Sequence, residues 1–199
     1  MKNILIINAH QKREGMSEGK LNEFYQDEIF NFFNEKQFDV KTTKIEDGYN
    51  IDEEINKHDW ADLVITQTPV FWFNTPWIHK KYIDEVFTSA LLQRKLILTD
   101  GRLKEDANKQ YGSGGLSQGK KYLLSATWNA PKEAFDNQSQ QLFKGISADD
   151  ALINLSVNYK FCGFEILKGF HSYDVIKNPK ISTDIKELKN RLYHLISKN

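Results

Sequence analysis

Cysteine is almost absent from this chain of 199 residues, because Cys162 is the only one. A single cysteine excludes an intrachain disulfide, a paired-cysteine redox motif and any metal or iron-sulfur cage built on several thiolates. Redox chemistry in this chain would therefore need a bound cofactor. Cys162 lies late in an apolar segment of helical spacing, and we interpret it as core packing and not as a nucleophile.

The chain also lacks an excess of charge of either sign, because 27 Lys and Arg residues balance 27 Asp and Glu residues. Binding of nucleic acid through bulk charge is not expected. Long apolar runs are missing as well: the run at residues 4–7 is followed at once by Asn8 and is too short for a signal sequence or a membrane span. We expect a cytoplasmic protein with no integral membrane association.

Three common catalytic motifs are missing too. The five histidines never fall at HxxH or HExxH spacing, so no metal site is predicted, and no GxSxG sequence supports serine-based hydrolysis. The glycine-rich run at residues 112–119 approaches a phosphate-binding loop. However, Lys121 stands where a Ser or Thr would hold magnesium, and the run precedes a strand instead of a helix.

What the chain has is an alternation of apolar runs and helical spacings. The spacing predicts strands at residues 2–8, 39–45, 62–69, 120–127 and 164–171. It predicts helices at residues 21–33, 52–61, 78–87, 147–162 and 185–196. Ser147 is expected to cap the fourth helix, with Asp150 in a capping box, and Ser182 or Thr183 is expected to cap the fifth.

This alternation predicts one α/β domain over residues 1–199, with helices on both faces of a doubly wound sheet of five parallel strands. The expected strand order is the flavodoxin-like 2-1-3-4-5. Ligands of such sheets bind outside the carboxyl ends of the strands, at the switch point between strands one and three. Three loops are thereby nominated, at residues 8–19, 69–76 and 127–131. The polar segment at residues 100–121 is an insertion of a length that is usually functional or disordered.

The first nominated loop leads into a helix. It contains His10, Lys12, Arg13 and Ser17, and the helix opens with Leu21 and Asn22. A helix N-terminus offers free N–H groups and a positive dipole end, which suit a phosphate or pyrophosphate. An ordinary capped helix with solvated basic residues is an equally compatible interpretation.

The second nominated loop is rich in aromatic residues. Phe71, Trp72, Phe73 and Trp77 fall within seven residues, and each has roughly 150–250 Å² of surface to bury. We interpret residues 71–73 as a wall for a planar heterocycle. Trp77 is instead expected to pack beneath the following helix, with Pro76 at the first helical position.

Four motifs in this order carry a resemblance to a known family. They are "PWIHKKYIDEVF" at residues 76–87, "DGR" at 100–102, "YGSGGLSQGKKY" at 111–122 and "SATWNAP" at 125–131. Together they closely resemble the modulator of drug activity B family, bacterial NAD(P)H:quinone oxidoreductases with a flavodoxin-like fold related to DT-diaphorase. The similarity runs from the first strand to about Phe135 and is weaker beyond Asn137.

The resemblance implies an FAD cofactor in preference to FMN, NAD(P)H as electron donor, and a homodimer with the isoalloxazine near the subunit interface. It implies two-electron, ping-pong reduction of quinones. The aromatic loop together with the turn at residues 127–131 also admits nitro or azo compounds as acceptors. Tyr111 would reach the cofactor from the insertion and is the candidate catalytic residue, with His171 or Tyr173 as further hydrogen-bond donors. The cofactor would be held by Ser17, Gly19, Leu21, Asn22, Val70, Phe71, Trp72, Phe73, Tyr111, Thr127, Trp128, Asn129 and Ala130.

Two departures from the family pattern concern the site. Ala9 and His10 stand where the family usually has glycine and alanine, and residues 70–74 read Val-Phe-Trp-Phe-Asn where the family usually reads Gly-Trp-Trp-Met-Gly. The bulkier aromatic wall indicates a reshaped substrate pocket. Two other functions stay open, a flavodoxin-type carrier of single electrons and a regulatory subunit that binds flavin or nucleotide. The sequence does not decide between NADH and NADPH.

Overall fold

A parallel sheet is the frame of the molecule in the computed structural model, which describes residues 1–197. Its strands are β1 (Asn3–Asn8), β2 (Asp39–Lys44), β3 (Leu63–Pro69), β4 (Lys121–Thr127), β5 (Glu165–Ile166) and β6 (Phe170–Ser172). They are all parallel, in the order β2-β1-β3-β4-β5, and β6 also pairs with β4. The predicted flavodoxin-like fold and strand order are confirmed.

Six α-helices cover the two faces of this sheet in the described part of the chain. They are α1 (Lys20–Glu35), α2 (Ile51–Trp60), α3 (Trp77–Leu92), α4 (Ala148–Ala151), α5 (Ile153–Phe161) and α6 (Ile181–Ser197). Within residues 1–197, none of them is long and apolar enough to cross a membrane.

Two hydrophobic cores lie on opposite sides of the sheet, because alternate residues of a strand point to opposite faces. Leu5 of β1 belongs to the core under α2, α3 and α5, which includes Tyr82 and Tyr159. Ile4 belongs to the core under α1 and α6, which includes Tyr25. This division explains why the central strands read as continuous apolar runs.

One unbroken fifth strand was predicted beside β4, but the structure has two short strands there. β5 pairs with the start of β4 and β6 with its end, and residues 167–169 interrupt them. Side chains satisfy the backbone at the interruption: the Gly169 N–H donates to Asp149 Oδ1 at 3.1 Å, and Arg191 Nη1 donates to the Gly169 carbonyl at 2.8 Å. These long-range partners stabilise the break.

The predicted helix at residues 147–162 is two helices. Ser147 caps the first as predicted, because its Oγ accepts the Asp150 N–H at 3.0 Å, but the Asp150 carboxylate binds the Ser147 hydroxyl and does not reach back to the Ser147 amide. Leu152, with φ −116°, leaves helical geometry and separates α4 from α5. At the C-terminal end, α6 begins at Ile181, so Ser182 and Thr183 lie in its first turn and not before it.

The insertion between α3 and β4 lies at the amino ends of the strands, because α3 returns the chain to that edge. Backbone hydrogen bonds order it, including Leu98 N–H to the Gly114 carbonyl and Leu116 N–H to the Leu96 carbonyl, both 2.9 Å. The Ser117 N–H reaches the Cys162 carbonyl at 2.9 Å, just before β5 begins. The three nominated loops lie at the opposite edge of the sheet.

Candidate active site

A chain of buried polar side chains forms the floor of the site beneath the carboxyl ends of β1, β3 and β4. Asn22 Nδ2 donates to Asn8 Oδ1 at 2.7 Å, and Gln67 Nε2 donates to Asn22 Oδ1 at 3.1 Å. Ser125 Oγ donates to Gln67 Oε1 at 2.6 Å. These hydrogen bonds fix the start of α1 against the sheet. They also use both polar atoms of the Asn22 side chain, so Asn22 could contact a cofactor only through its backbone.

The N-terminus of α1 opens beside this floor without a side-chain cap. Its N-cap residue is Gly19, with φ +84°, and the hydroxyl of Ser17 pairs with His10 Nε2 at 3.1 Å instead of capping the helix. The first-turn N–H groups and the positive end of the helix dipole therefore face the loop at residues 9–19. This arrangement fits an anionic group such as a phosphate. Leu21 is half-buried in this first turn.

His10 joins the site although it was absent from the predicted cofactor contacts. Its ring is buried, its edge meets Phe71 at 6.2 Å between ring centroids, and a Cβ at Gly19 would lie 2.8 Å from its Cε1 and Nδ1. Burial lowers the pKa of His10, outweighing the carboxylate of Glu46, whose Oε2 lies 3.8 Å from Nδ1. The position of His10, two residues after the end of the first strand, was the signal that could have identified it.

An aromatic turn at residues 71–74 closes the second loop. The Phe71 N–H donates to the Asn74 carbonyl at 2.7 Å and the Asn74 N–H returns a bond of 3.1 Å. Trp72 and Phe73 take φ +49° and +64°, the geometry of a type I′ turn, which normally needs Asn or Gly. Each strained residue costs on the order of 1–3 kcal/mol. Trp72 is nevertheless 87% exposed and Phe73 49%.

Contacts from three directions hold the aromatic turn in place. The guanidinium of Arg13 lies 5.0 Å from the Phe71 ring centroid, and Phe73 packs edge-on against Phe143 at 5.9 Å. Asn74 Oδ1 accepts a hydrogen bond of 3.1 Å from Asn154 in α5. The turn is joined to the third loop by the Val70 N–H, which donates to the Thr127 carbonyl at 2.9 Å.

The position of Trp128 differs from the prediction, because neither of its N–H groups is free for a ligand. Its indole is 2% exposed and packs against Phe135 at 4.8 Å. Its backbone N–H donates to the Ser172 carbonyl at 2.8 Å, and its Nε1–H donates to His171 Nδ1 at 3.0 Å. Of the predicted third loop, Thr127 is buried, Ala130 is half-buried and Asn129 is exposed.

His171 is held between Trp128 and Asp149. Since Nδ1 accepts the indole N–H, the neutral ring carries its proton on Nε2, which donates to Asp149 Oδ1 at 2.9 Å. Burial raises the pKa of Asp149, but the hydrogen bond from His171 and the amide of Gly169 prevail and lower it. Both ring nitrogens are occupied, so His171 does not meet the expectation of a free donor. Burial raises the pKa of the Tyr173 phenol to about 12.

Two other aromatic residues lie elsewhere than predicted. Trp77 was expected to pack under α3, but it is 60% exposed, and Pro76 precedes the helix as its N-cap instead of occupying the first helical position. Tyr111 lies at the amino ends of the strands, where its ring packs on Phe161 at 5.1 Å and under Arg102 at 5.5 Å. Within one chain, Tyr111 is therefore not brought together with the other predicted site residues.

Comparison with known proteins agrees with this fold. Residues 2–195 match a sequence family described as having a flavodoxin-like fold. The chain is 37% identical over 190 residues to an NADPH:quinone oxidoreductase, MdaB, of Haemophilus influenzae, and the match covers 96% of this chain and 97% of that protein.

Two solved structures share the fold. A Klebsiella pneumoniae protein superposes with a TM-score of 0.75 at 20% identity, covering 98% of this chain and 85% of that one. The FMN-dependent NADH-azoreductase of Bacillus anthracis, determined in complex with FMN, superposes with a TM-score of 0.68 at 15% identity, covering 98% of this chain and 99% of that one. At these identities the likeness concerns the fold alone.

Proposed function

The chain belongs to the flavodoxin-like fold family and, within it, to the modulator of drug activity B family, and we propose that it is a flavin-dependent NAD(P)H:quinone oxidoreductase. The observation that carries the proposal is the meeting of an uncapped helix N-terminus and an exposed aromatic turn at the carboxyl ends of β1 and β3. An anionic group and a planar ring are the two ends of a flavin nucleotide, and each finds a matching surface here.

The proposed flavin would lie above the floor, whose side chains already bind one another. The first-turn amides of α1, with Ser17, Gly19 and His10, would hold the phosphate or pyrophosphate. Phe71, Trp72 and Phe73 would cover the ring, and residues 129–130 would meet its polar edge. When bound, the flavin supplies the capacity to take a hydride from NAD(P)H and pass it to a quinone.

The protein's own contribution is orientation and exclusion of water. The strained aromatic turn holds large rings exposed at a fixed angle, and its bonds to Asn154 and Thr127 restrict its movement. His10 is buried with a lowered pKa, so near neutral pH it offers an uncharged ring beside the helix N-terminus. The positive end of the α1 dipole then attracts the phosphate without the help of a charge on His10.

Tyr111 enters the proposal only through a second copy of the chain. The insertion lies at the amino ends of the strands, away from the site of its own chain. In the proposed homodimer, its exposed phenol would donate a hydrogen bond to the acceptor bound at the site of the other copy. Quinones are the proposed acceptors, with nitro and azo compounds as further candidates, and the proposed location is the cytoplasm.

FAD is the proposed form of the flavin. The family resemblance supports it, whereas a Bacillus anthracis protein of the same fold is described in complex with FMN. A helix N-terminus accepts a monophosphate as readily as a pyrophosphate, so the geometry admits both. Chromatography of the flavin released by heat from the purified protein decides between them, and release of FMN alone would overturn this part of the proposal.

Steady-state kinetics tests the reaction. With the flavin-loaded protein, rates at varied NAD(P)H and menadione concentrations should give parallel double-reciprocal lines, as expected when donor and acceptor use one site in turn. Tight flavin binding without oxidation of either nicotinamide donor would contradict the enzyme and favour a carrier or a regulatory subunit.

A further inference from the structure

Asp149, in the first turn of α4, anchors the short strand β6. Its carboxylate accepts the Gly169 N–H, at 3.1 Å to Oδ1 and 3.3 Å to Oδ2, and Oδ1 also accepts the Nε2–H of His171 at 2.9 Å. A Cβ at Gly169 would lie 2.3 Å from Asp149 Oδ1, so glycine is needed for the carboxylate to approach this closely. One side chain of α4 therefore fixes both the residue before β6 and the imidazole in the middle of the strand.

The imidazole of His171 connects this anchor to the third loop. Its Nδ1 accepts the indole N–H of Trp128 at 3.0 Å. Both rings are buried: the side chain of His171 is 6% exposed and Trp128 is 2% exposed. A buried indole N–H without an acceptor is destabilising, and water does not reach this one to replace His171. The bond therefore selects one orientation of the indole.

The strand β6 also holds the backbone of the third loop. The Trp128 N–H donates to the Ser172 carbonyl at 2.8 Å, and the Asp174 N–H donates to the Ala130 carbonyl at 3.0 Å. β6 has three residues and pairs with β4 alone. Its position, and with it that of the loop, therefore depends on the anchor at Asp149.

The indole of Trp128 supports both proposed walls of the ring site. Its backbone continues into Asn129 and Ala130, whose N–H groups donate to no atom within residues 1–197. On the other side, the indole meets Phe143 edge-on at 6.4 Å between ring centroids, and Phe143 meets Phe73 of the aromatic turn at 5.9 Å. Because packed side chains transmit displacement, a turned indole would move the loop and the aromatic turn together.

We propose that His171, oriented by Asp149, is the positioning residue for the flavin ring, an assignment that rests on the proposed function. It fixes the indole of Trp128, which in turn fixes the third loop and Phe73. The free N–H groups of residues 129–130 are then held at the polar edge of the ring, where reduction adds negative charge. Donors placed in advance in this way stabilise the reduced flavin more than the oxidised flavin. His171 acts without touching the flavin or the acceptor.

The test measures the two-electron midpoint potential of the bound flavin. In His171→Leu, affinity for the reduced flavin should fall about tenfold more than affinity for the oxidised flavin, which lowers the potential by about 30 mV. His171→Gln should stay close to the wild type, because its amide offers an acceptor to the indole and a donor to Asp149. Arg191→Met is the matched control. It removes the bond of Arg191 to the Gly169 carbonyl, beside the same anchor, and should lower stability without changing the potential.

A double-mutant cycle shows whether His171 acts through the indole. Trp128→Phe keeps an aromatic ring but removes the N–H donor, so it should lower the potential as His171→Leu does. Adding His171→Leu to Trp128→Phe should then cause no further shift. Additive shifts, an unchanged potential in His171→Leu, or an equal shift in Arg191→Met would overturn the assignment.

The flavin-free protein gives a second readout. The indole N–H of Trp128 is identified in NMR spectra by its loss in Trp128→Phe. It should exchange with solvent about tenfold faster in His171→Leu than in the wild type, and unchanged exchange would overturn the assignment. Failure of the wild type to bind flavin would instead contradict the proposed function, and the indole exchange would still decide whether His171 fixes Trp128.

Discussion

The imidazole of His10 fills the space above Gly19, so that a Cβ on Gly19 would lie 2.8 Å from two ring atoms. Gly19 also takes φ +84°, a conformation that other residues adopt at a cost. The two residues thus form one wall of the opening at the N-terminus of α1. Any side chain at residue 19 must displace His10 from this wall.

Gly19→Ala should weaken flavin binding at least tenfold, because His10 must move away from the helix N-terminus. Gly15→Ala is the matched control: Gly15 also has a positive φ, but a Cβ there would have no described atom within 4 Å. Both variants should lose about 1 kcal/mol of unfolding free energy from backbone strain. Fluorescence titration with FAD and urea unfolding measure the two effects. Equal flavin affinities in the two variants would contradict the assignment.

Trp72→Gly should stabilise the flavin-free protein and weaken flavin binding at once. Relief of the left-handed backbone should raise the unfolding free energy by about 1 kcal/mol, since the exposed indole contributes little to the fold. Gln37→Gly is the control, because Gln37 also has a positive φ, +60°, but lies beyond the far end of α1. It should be stabilised similarly with unchanged flavin affinity. Unaltered flavin affinity in Trp72→Gly would argue against stacking on this turn.

The strands and most helices were predictable because their signals are local. Apolar runs and helical spacing gave β1, β3, β4 and α1 to within a few residues. The breaks at Leu152 and at residues 167–169 were not predicted. The second break depends on Asp149 and Arg191, which are distant in sequence. No periodicity of the local sequence reports such partners.

The exposure of two tryptophans was predicted wrongly, because it also depends on partners that are distant in sequence. Trp77 was expected to be packed and is exposed, whereas Trp128 was expected to face a ligand and is buried. Trp128 is buried by Phe135, Phe143 and His171, all of which follow it in sequence, whereas Trp77 begins a helix whose first turn faces a groove. The location of Tyr111 was derivable: α3 must return the chain to the amino ends of the strands before β4 can run parallel to β3. The motif resemblance alone did not indicate at which edge of the sheet Tyr111 lies.

Two buried histidines should make the fold sensitive to acid. Burial lowers the pKa of both His58 and His79 to about 4, below the ordinary value of 6.5. The unfolded chain therefore binds more protons between these values, and stability should fall as the pH drops from 6.5 towards 4, by up to about 3 kcal/mol per histidine. Urea unfolding at pH 7 and pH 5 measures the loss.

His79→Phe should reduce this loss of stability. Phenylalanine keeps a ring against Tyr82, on which His79 stacks at 6.3 Å, and removes the buried Nε2 that has no partner among the described residues. The difference in unfolding free energy between pH 7 and pH 5 should shrink by about half. His194→Phe is the control on an exposed histidine and should leave the difference unchanged. An unaltered pH dependence in His79→Phe would contradict the role of burial.

Tyr111→Phe should lower kcat for quinone reduction about tenfold without changing flavin affinity, as expected for loss of one hydrogen bond to the acceptor. If Tyr111 acts on the site of a second copy, mixing Tyr111→Phe and Gly19→Ala subunits should restore activity. Random pairing of equal amounts leaves about a quarter of the sites with both intact residues. No recovery after the subunits have been shown to exchange would contradict a role across a dimer.

The most direct measurement follows the two halves of the reaction separately. The FAD-loaded protein is mixed with NADPH, and in parallel with NADH, without oxygen, and the flavin absorbance is recorded before and after addition of menadione. We predict rapid bleaching by a nicotinamide donor and full return of the absorbance with one equivalent of menadione. Retention of the flavin with no bleaching by either donor would contradict the proposed oxidoreductase.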